Sequence, residues 1–408
     1  MEKKELEEKY IDLLLNKCIN FNNSKSMLIS YKKENKTFVE KVVEKAHELG
    51  VEDIFLAEED IYQKHDILKN ISVEEIDTNE YFNKKIWDEY ALKGASFLML
   101  ESEYPNLMDD ISSEKLARAR YIDRITRSIY KKLQLEFKVP WCIAALPSKS
   151  WAKKLFPEMS EEEAHDKLFE LICQMCMVDT EDPKESWNKF LQEQNKMQEK
   201  LNQLEIKSLH YQNSLGTDLY IELTPNTYWH SAGSLGENML VNMPTYEIFT
   251  NPNFRKTNGI VYASRPLHYN GRLISDFYLE FKEGKVINYD AKEGKDLLKE
   301  IINSDEYSSY LGEVALVNND SPISNTGIVY GTTLLDENAS CHLALGNGFA
   351  ECIEGGESMS EEELIEIGVN PSKNHVDFMI GTPDLQISVE TNQGKKIIFK
   401  DGNFNFSE

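Results

Sequence analysis

Near residue 210 the hydrophobic pattern of this 408-residue chain changes period, and that change limits the folds open to it. Before it, short apolar runs at 26–31, 51–57, 95–100 and 139–146 alternate with helical patterns at 37–49 and 117–133. In 37–49, Phe38, Val39, Val42, Val43 and Ala46 share one helical face, with Thr37 as a start and Gly50 as a stop. Strand–helix–strand succession of this kind predicts parallel βαβ units. Residues 161–209 read as mostly helical, with an apolar stripe of Trp187, Phe190, Leu191, Met197, Leu201 and Leu204. Beyond 215 the chain reads as strands at 219–223, 259–264, 279–281, 285–289, 386–390 and 395–399. Turns at Asn270-Gly271, Glu283-Gly284 and Gln393-Gly394 punctuate them, and helices are expected at 292–303 and 360–367. The expectation is an α+β protein of two domains: an N-terminal α/β domain over 1–210 with parallel βαβ units, and a C-terminal β-rich mixed domain over 211–408.

Composition narrows the partners. The net charge is −25, and Lys is interspersed with Glu throughout, so the clustered basic surface that binds phosphate backbones is missing. Nucleic acid is not an expected partner. No glycine-rich loop opens a helix in the first half, which argues against a dinucleotide site. No apolar run nears the roughly 20 residues of a membrane helix. Six scattered cysteines are too few for a disulfide framework, and a reduced, cytoplasmic setting is expected. Cys173 and Cys176 form one CxxC, but they lie in an apolar helical stretch with no second pair, so they read as buried structural thiols.

Imidazoles and carboxylates concentrate in the second half. Glu337 and His342 flank a small polar run in Asp336-Glu337-Asn338-Ala339-Ser340-Cys341-His342. His375 and Asp377 stand two apart in His375-Val376-Asp377-Phe378, which on a strand puts both on one face. Glu247 follows Met243-Pro244-Thr245-Tyr246, and Glu313 follows a strand-breaking glycine in Leu311-Gly312-Glu313-Val314. Imidazole with carboxylate suits Zn, Co or Mn. A pair of such ions needs about five or six protein ligands and a bridging carboxylate.

These segments, in this order, resemble the thermophilic aminopeptidase family, the dinuclear metallopeptidases of the aminopeptidase T and aminopeptidase S type. The likeness extends to Gly216-Thr217-Asp218-Leu219 and Asn374-His375-Val376-Asp377-Phe378-Met379-Ile380-Gly381. In the first half it covers Val139-Pro140-Trp141 and Trp151-Ala152-Lys153-Lys154-Leu155-Phe156-Pro157. The resemblance implies a metal set of Glu247, Glu313, Glu337, His342, His375 and Asp377, with Glu313 and Asp377 as the bridging carboxylates. It places Glu313 and residue 349 at catalytic positions. In the family a tyrosine stands seven residues beyond the histidine numbered 342 here; this chain has Phe349.

The resemblance further implies two divalent ions per chain, a cytoplasmic homodimer, and removal of single residues from peptides with free N-termini through a metal-activated water. A pure interaction protein without metal is one alternative, and two more remain open. One is an impaired homologue that binds metal and peptide without the phenol. The other is a different two-metal hydrolase, against which the lack of a nearby Arg/Lys phosphate clamp argues.

Overall fold

The structure is a computed structural model, and it describes residues 1–19, 24–231, 239–269 and 272–406. The chain gathers into two compact units. The first holds Met1–Phe190, Leu235–Pro244 and Asn270–Arg272; the second holds Leu191–Ser234, Thr245–Tyr269 and Leu273–Glu408.

In the first unit five strands form a wholly parallel sheet. Their order is Asp53–Glu59, Ser26–Lys32, Ser96–Glu101, Trp141–Ala145 and Asn242–Met243. The helix Lys36–Glu48 crosses between the first two in sequence and buries Phe38, Val39, Val42 and Ala46, the stripe its spacing predicts. Ser96–Glu101 is buried along nearly its whole length, as a strand covered on both faces must be. The single helix expected over 117–133 is two, Ser113–Thr126 and Ser128–Leu135. The break has a local cause: Thr126 turns its hydroxyl back on the carbonyls of Ile122 (2.8 Å) and Asp123 (3.1 Å), competing with the helical ladder. All six cysteines are free and buried, Cys173 and Cys176 among them.

The second unit is mostly antiparallel sheet. Helix Pro183–Gln203 stops earlier than expected, Glu205 takes a left-handed backbone (φ 48°), and Ser208–Gln212 is already a strand. Two expected short strands belong to 11-residue ones, Pro252–Tyr262 and Arg272–Lys282. The hairpin from Arg272–Lys282 into Lys285–Glu293 turns at Glu283 and Gly284, both at positive φ (50° and 83°), which matches the twist of the flanking strands. That second strand delays the next helix, which is Lys295–Ile302. Helix Glu361–Ile367 lies where expected. The Asn270-Gly271 turn lies outside the described residues.

A five-stranded antiparallel sheet in this unit carries most of the candidate residues. Its order is His375–Met379, His342–Gly346, Leu311–Leu316, Ile248–Thr250, His230–Ser231. Side chains alternate across it. Val314, Leu316, Leu343, Leu345, Val376 and Phe378 enter one hydrophobic core. The intervening residues face the other way, and register aligns Glu313 with Ala344 and Ala344 with Asp377. A second row runs His230, Phe249, Ala315, His342.

One irregularity makes this arrangement possible. Leu311 is a core residue, yet Glu313, two positions on, belongs to the opposite face. A regular strand would put both on one side. The register shifts between them, so Gly312 is an extra, bulged residue that reverses the alternation. Backbone crowds it: a Cβ there would lie 2.1 Å from the Gly346 carbonyl oxygen and 2.2 Å from that of Asn347. We expect Gly312→Ala to lower unfolding stability by about 1–3 kcal/mol, the usual cost of overpacking. A urea titration checks this, and an unmoved midpoint would contradict the bulge's close packing.

Candidate metal centre

The six candidates arrive from four stretches of chain. His375 and Asp377 come from an outer strand, His342 begins the next, and Glu313 sits past the bulge. Glu247 immediately precedes Ile248–Thr250, and Glu337 opens a short turn, Glu337–Ala339. Five of the six form two groups of donor atoms, each within 4.8 Å: Glu247 with Glu313 and His342, and Glu313 with His375 and Asp377. Glu313 belongs to both.

The histidines are oriented by backbone. The Nδ1 of His342 donates to the Ser340 carbonyl (3.1 Å), and that of His375 to the Asn347 carbonyl (2.9 Å). A carbonyl can only accept, so Nδ1 carries the proton in each ring and Nε2 turns toward the carboxylates. Nε2 of His342 lies 3.0 Å from Glu247 Oε2. Nε2 of His375 lies 3.0 Å from Glu313 Oε2 and 3.3 Å from Asp377 Oδ1.

Burial and crowding distort the protonation equilibria of Glu313, Glu337, His342, His375 and Asp377. Burial pushes the Glu313 carboxyl up, against the pull of His375 and with the repulsion of Asp377 and Glu247. Glu337 is pushed well up, first by burial and then by Asp377 and Glu247. Burial opposes charge on both histidines, but Glu247 overcomes it at His342 and Asp377 at His375, so both are raised. Asp377 is lowered, because His375 outweighs its burial. Two histidines cannot offset four carboxylates, and the buried Asp377 Oδ1 has only the His375 ring near it, at 3.3 Å. Imidazole nitrogens and carboxylate oxygens buried and crowded in this way fit divalent cations of the Zn, Co or Mn type.

Two residues that sequence reasoning passed over hold the frame. Asn338 is fully buried; it accepts from the Tyr246 amide (2.6 Å) and donates to the Leu334 carbonyl (2.9 Å) and to Glu337 Oε1 (3.3 Å). It thereby ties the approach to Glu247 to the turn bearing Glu337. Asn251 grips the backbone of Phe349 at both ends, accepting from its amide (2.8 Å) and donating to its carbonyl (2.5 Å). The Phe349 ring so held lies 5.2 Å from the His375 ring and 5.3 Å from Phe249. Asn338 stood inside the motif, yet its neighbours in sequence gave no sign of a bond reaching residue 246. Asn251, after a short strand, carries no sequence signal of its role.

Residues 3–404 match the thermophilic metalloprotease family M29. The chain belongs to that family. The M29 chain is 36% identical to aminopeptidase AmpS of Bacillus subtilis over 97% of its own length and 98% of the relative's. It is 33% identical to aminopeptidase 2 of Geobacillus stearothermophilus over 98% and 97%. The solved structure of wild-type AmpT from Thermus thermophilus superposes with a TM-score of 0.89 at 28% identity, covering 98% of this chain and 99% of that one. This M29 protein is thus a metal-dependent aminopeptidase, a hydrolase of mixed α and β structure, as its motifs lead one to expect.

The Asn338 bridge gives a direct test. Asn338→Ala would strand the Tyr246 amide and release the Glu337 turn. We expect a loss of roughly 1–3 kcal/mol, the cost of an unmatched buried polar group, together with weaker metal retention. Thermal unfolding and metal titration of the variant measure both, and wild-type values for the two would remove Asn338 from the frame.

Proposed function

We propose that this aminopeptidase works with two divalent ions, Zn, Co or Mn, held by Glu247, Glu313, Glu337, His342, His375 and Asp377. The observation that carries this reading is the membership of Glu313 in both donor groups. One carboxylate within reach of two histidine-bearing triads is what a bridged pair requires. Such ions, when bound, supply Lewis acidity that polarises a scissile carbonyl and acidifies a water.

The chain's own groups do the rest. Nε2 of His342 and of His375 are fixed as lone-pair donors by the Ser340 and Asn347 carbonyls. Glu313 belongs to both donor groups, and Asp377 would be the second bridging carboxylate. Glu337 lies outside both triads but within their field, and its carboxyl is shifted toward holding a proton. A carboxylate of this set would take the proton of the attacking water and return it to the leaving amine. Substrates are peptides with free N-termini, cut at the first bond. Six free, buried thiols support a reducing, cytoplasmic setting, and among the described residues no helix is long and apolar enough to cross a membrane. The working unit is a homodimer, and all six proposed metal-site residues belong to the second of each chain's two units.

Chelation should abolish hydrolysis of leucine p-nitroanilide, and added Zn, Co or Mn should restore it. Glu313→Gln should lose metal and activity together, because a neutral amide is a poor bridge. Metal analysis beside the assay decides, and full activity in a verified metal-free sample would overturn the reading.

A second reading is favoured by one observation. The ring beside His375 is a phenyl, with no hydroxyl to offer a developing oxyanion. On this reading the protein keeps metal and peptide binding but turns over slowly. Loss of a single oxyanion donor costs on the order of 10²–10³ in turnover. Phe349→Tyr should then raise kcat by up to that factor at unchanged metal content. An unchanged kcat, or a fast wild-type enzyme, would show that the phenol is not needed here.

A further inference from the structure

The face of the five-stranded sheet that carries the metal candidates extends beyond them. Register aligns Ala315 with both His342 and Phe249, and Phe249 with His230 on the edge strand. His230 therefore lies on the same sheet face as Glu313 and His342, separated from them by Phe249. Rings link the two regions: Phe249 contacts both His230 (6.3 Å) and Phe349 (5.3 Å), and Phe349 contacts His375 (5.2 Å).

A cavity of about 370 Å³ opens at His230. Its lining includes Gln198 and Asn202 from the helix Pro183–Gln203, and Glu351, Glu354 and Glu357 from the segment that follows Phe349. None of its lining residues is Lys or Arg. Among the described residues, no salt bridge reaches Glu351, Glu354 or Glu357. His230 adds no compensating charge: its Nε2 donates to the Glu351 carbonyl (2.9 Å), and burial keeps its ring toward the neutral form. The Glu351 carboxyl is itself raised, chiefly by burial and then by Glu357. The rim is firmly placed. Glu351 lies in the tight turn Ala350–Cys352, and a Cβ on Gly356 would fall 2.1 Å from the Ala350 carbonyl oxygen. Thr227 ties the turn to the sheet by donating to the Cys352 carbonyl (3.0 Å).

A negatively lined, uncompensated cavity of side-chain size, two residues from the ring that covers His375, calls for a cationic occupant. We propose that it is a substrate subsite that takes the side chain of a lysine or arginine flanking the scissile bond, with Glu351 as the specificity-determining carboxylate. The proposal rests on the aminopeptidase reading and names the side-chain class that this reading leaves open. The cation can belong to the residue released or to the one after it. Both offer the same chemistry, and the test separates them.

The test uses the full-length metal-loaded protein and reduced-bond dipeptide amides, Arg-Leu, Leu-Arg and Leu-Leu, in which the peptide carbonyl is replaced by a methylene so that none is hydrolysed. Calorimetry measures their affinities. One arginine ligand should bind about tenfold or more tighter than Leu-Leu, the scale of a charge-assisted hydrogen bond. Glu351→Gln should erase that advantage while leaving Leu-Leu binding unchanged, which also shows that the variant is folded. Should Glu351→Gln fail to fold, Glu357→Gln on the exposed rim should shrink the arginine advantage in the same direction. Which arginine ligand gains identifies the residue that enters the cavity. Equal affinity for all three ligands, or an arginine advantage that survives both substitutions, overturns the subsite. Hydrolysis of leucine p-nitroanilide is assayed in parallel. A protein that favours arginine but never hydrolyses keeps the subsite and loses the enzymatic reading; one that hydrolyses without the preference does the reverse.

Discussion

The alternation of the five-stranded sheet couples two environments that could not otherwise sit back to back. On one side Val314, Leu316, Leu343, Leu345, Val376 and Phe378 pack into the core. On the other, Glu313, His342, His375 and Asp377 gather charge. Each buried aliphatic or aromatic side chain contributes roughly 1.5–3 kcal/mol relative to exposure. A slip of one residue in any strand would send those side chains into the charge cluster and the charges into the core. The apolar face therefore holds the charged face in register, and the spacing of the donors is set by packing from behind as much as by their mutual attraction.

The charged face has a cost of its own. Taking carboxylates out of water is expensive, and unlike neighbours recover that only with good geometry. Here the recovery is arranged by backbone: carbonyls of Ser340 and Asn347 orient the rings, and Asn338 pins the two turns that deliver Glu247 and Glu337. What these contacts leave over is an excess of negative charge. The same excess that would destabilise an isolated protein makes the site a strong acceptor for cations.

Much of this was legible in the sequence, and the reasons for the exceptions are physical. His375 and Asp377 declared a shared face by their spacing of two, and the structure puts them on one strand. The parallel units of the first half followed from strand–helix alternation. What stayed hidden depended on contacts distant in sequence or on single side chains acting against the local pattern. The Gly312 bulge is invisible without the neighbouring carbonyls of Gly346 and Asn347. Thr126 divides a helix through its hydroxyl, although the surrounding periodicity runs on. Strands such as Arg272–Lys282 extend well past their apolar centres, because pairing with Lys285–Glu293 holds polar residues in the ladder. Asn338 and Asn251 act through bonds spanning 92 and 98 residues, which no local window can register.

The grip of Asn251 on Phe349 separates where a residue is from what it is. Both backbone groups of position 349 are held by one buried amide, so its place beside His375 is set by its main chain as well as by its ring. A mutation at that codon changes the group presented beside His375 and leaves the backbone bonds that hold it in place. The fold thus holds position 349 by its main chain, and a single-base change between phenylalanine and tyrosine would add a hydroxyl beside His375 without asking the backbone to move.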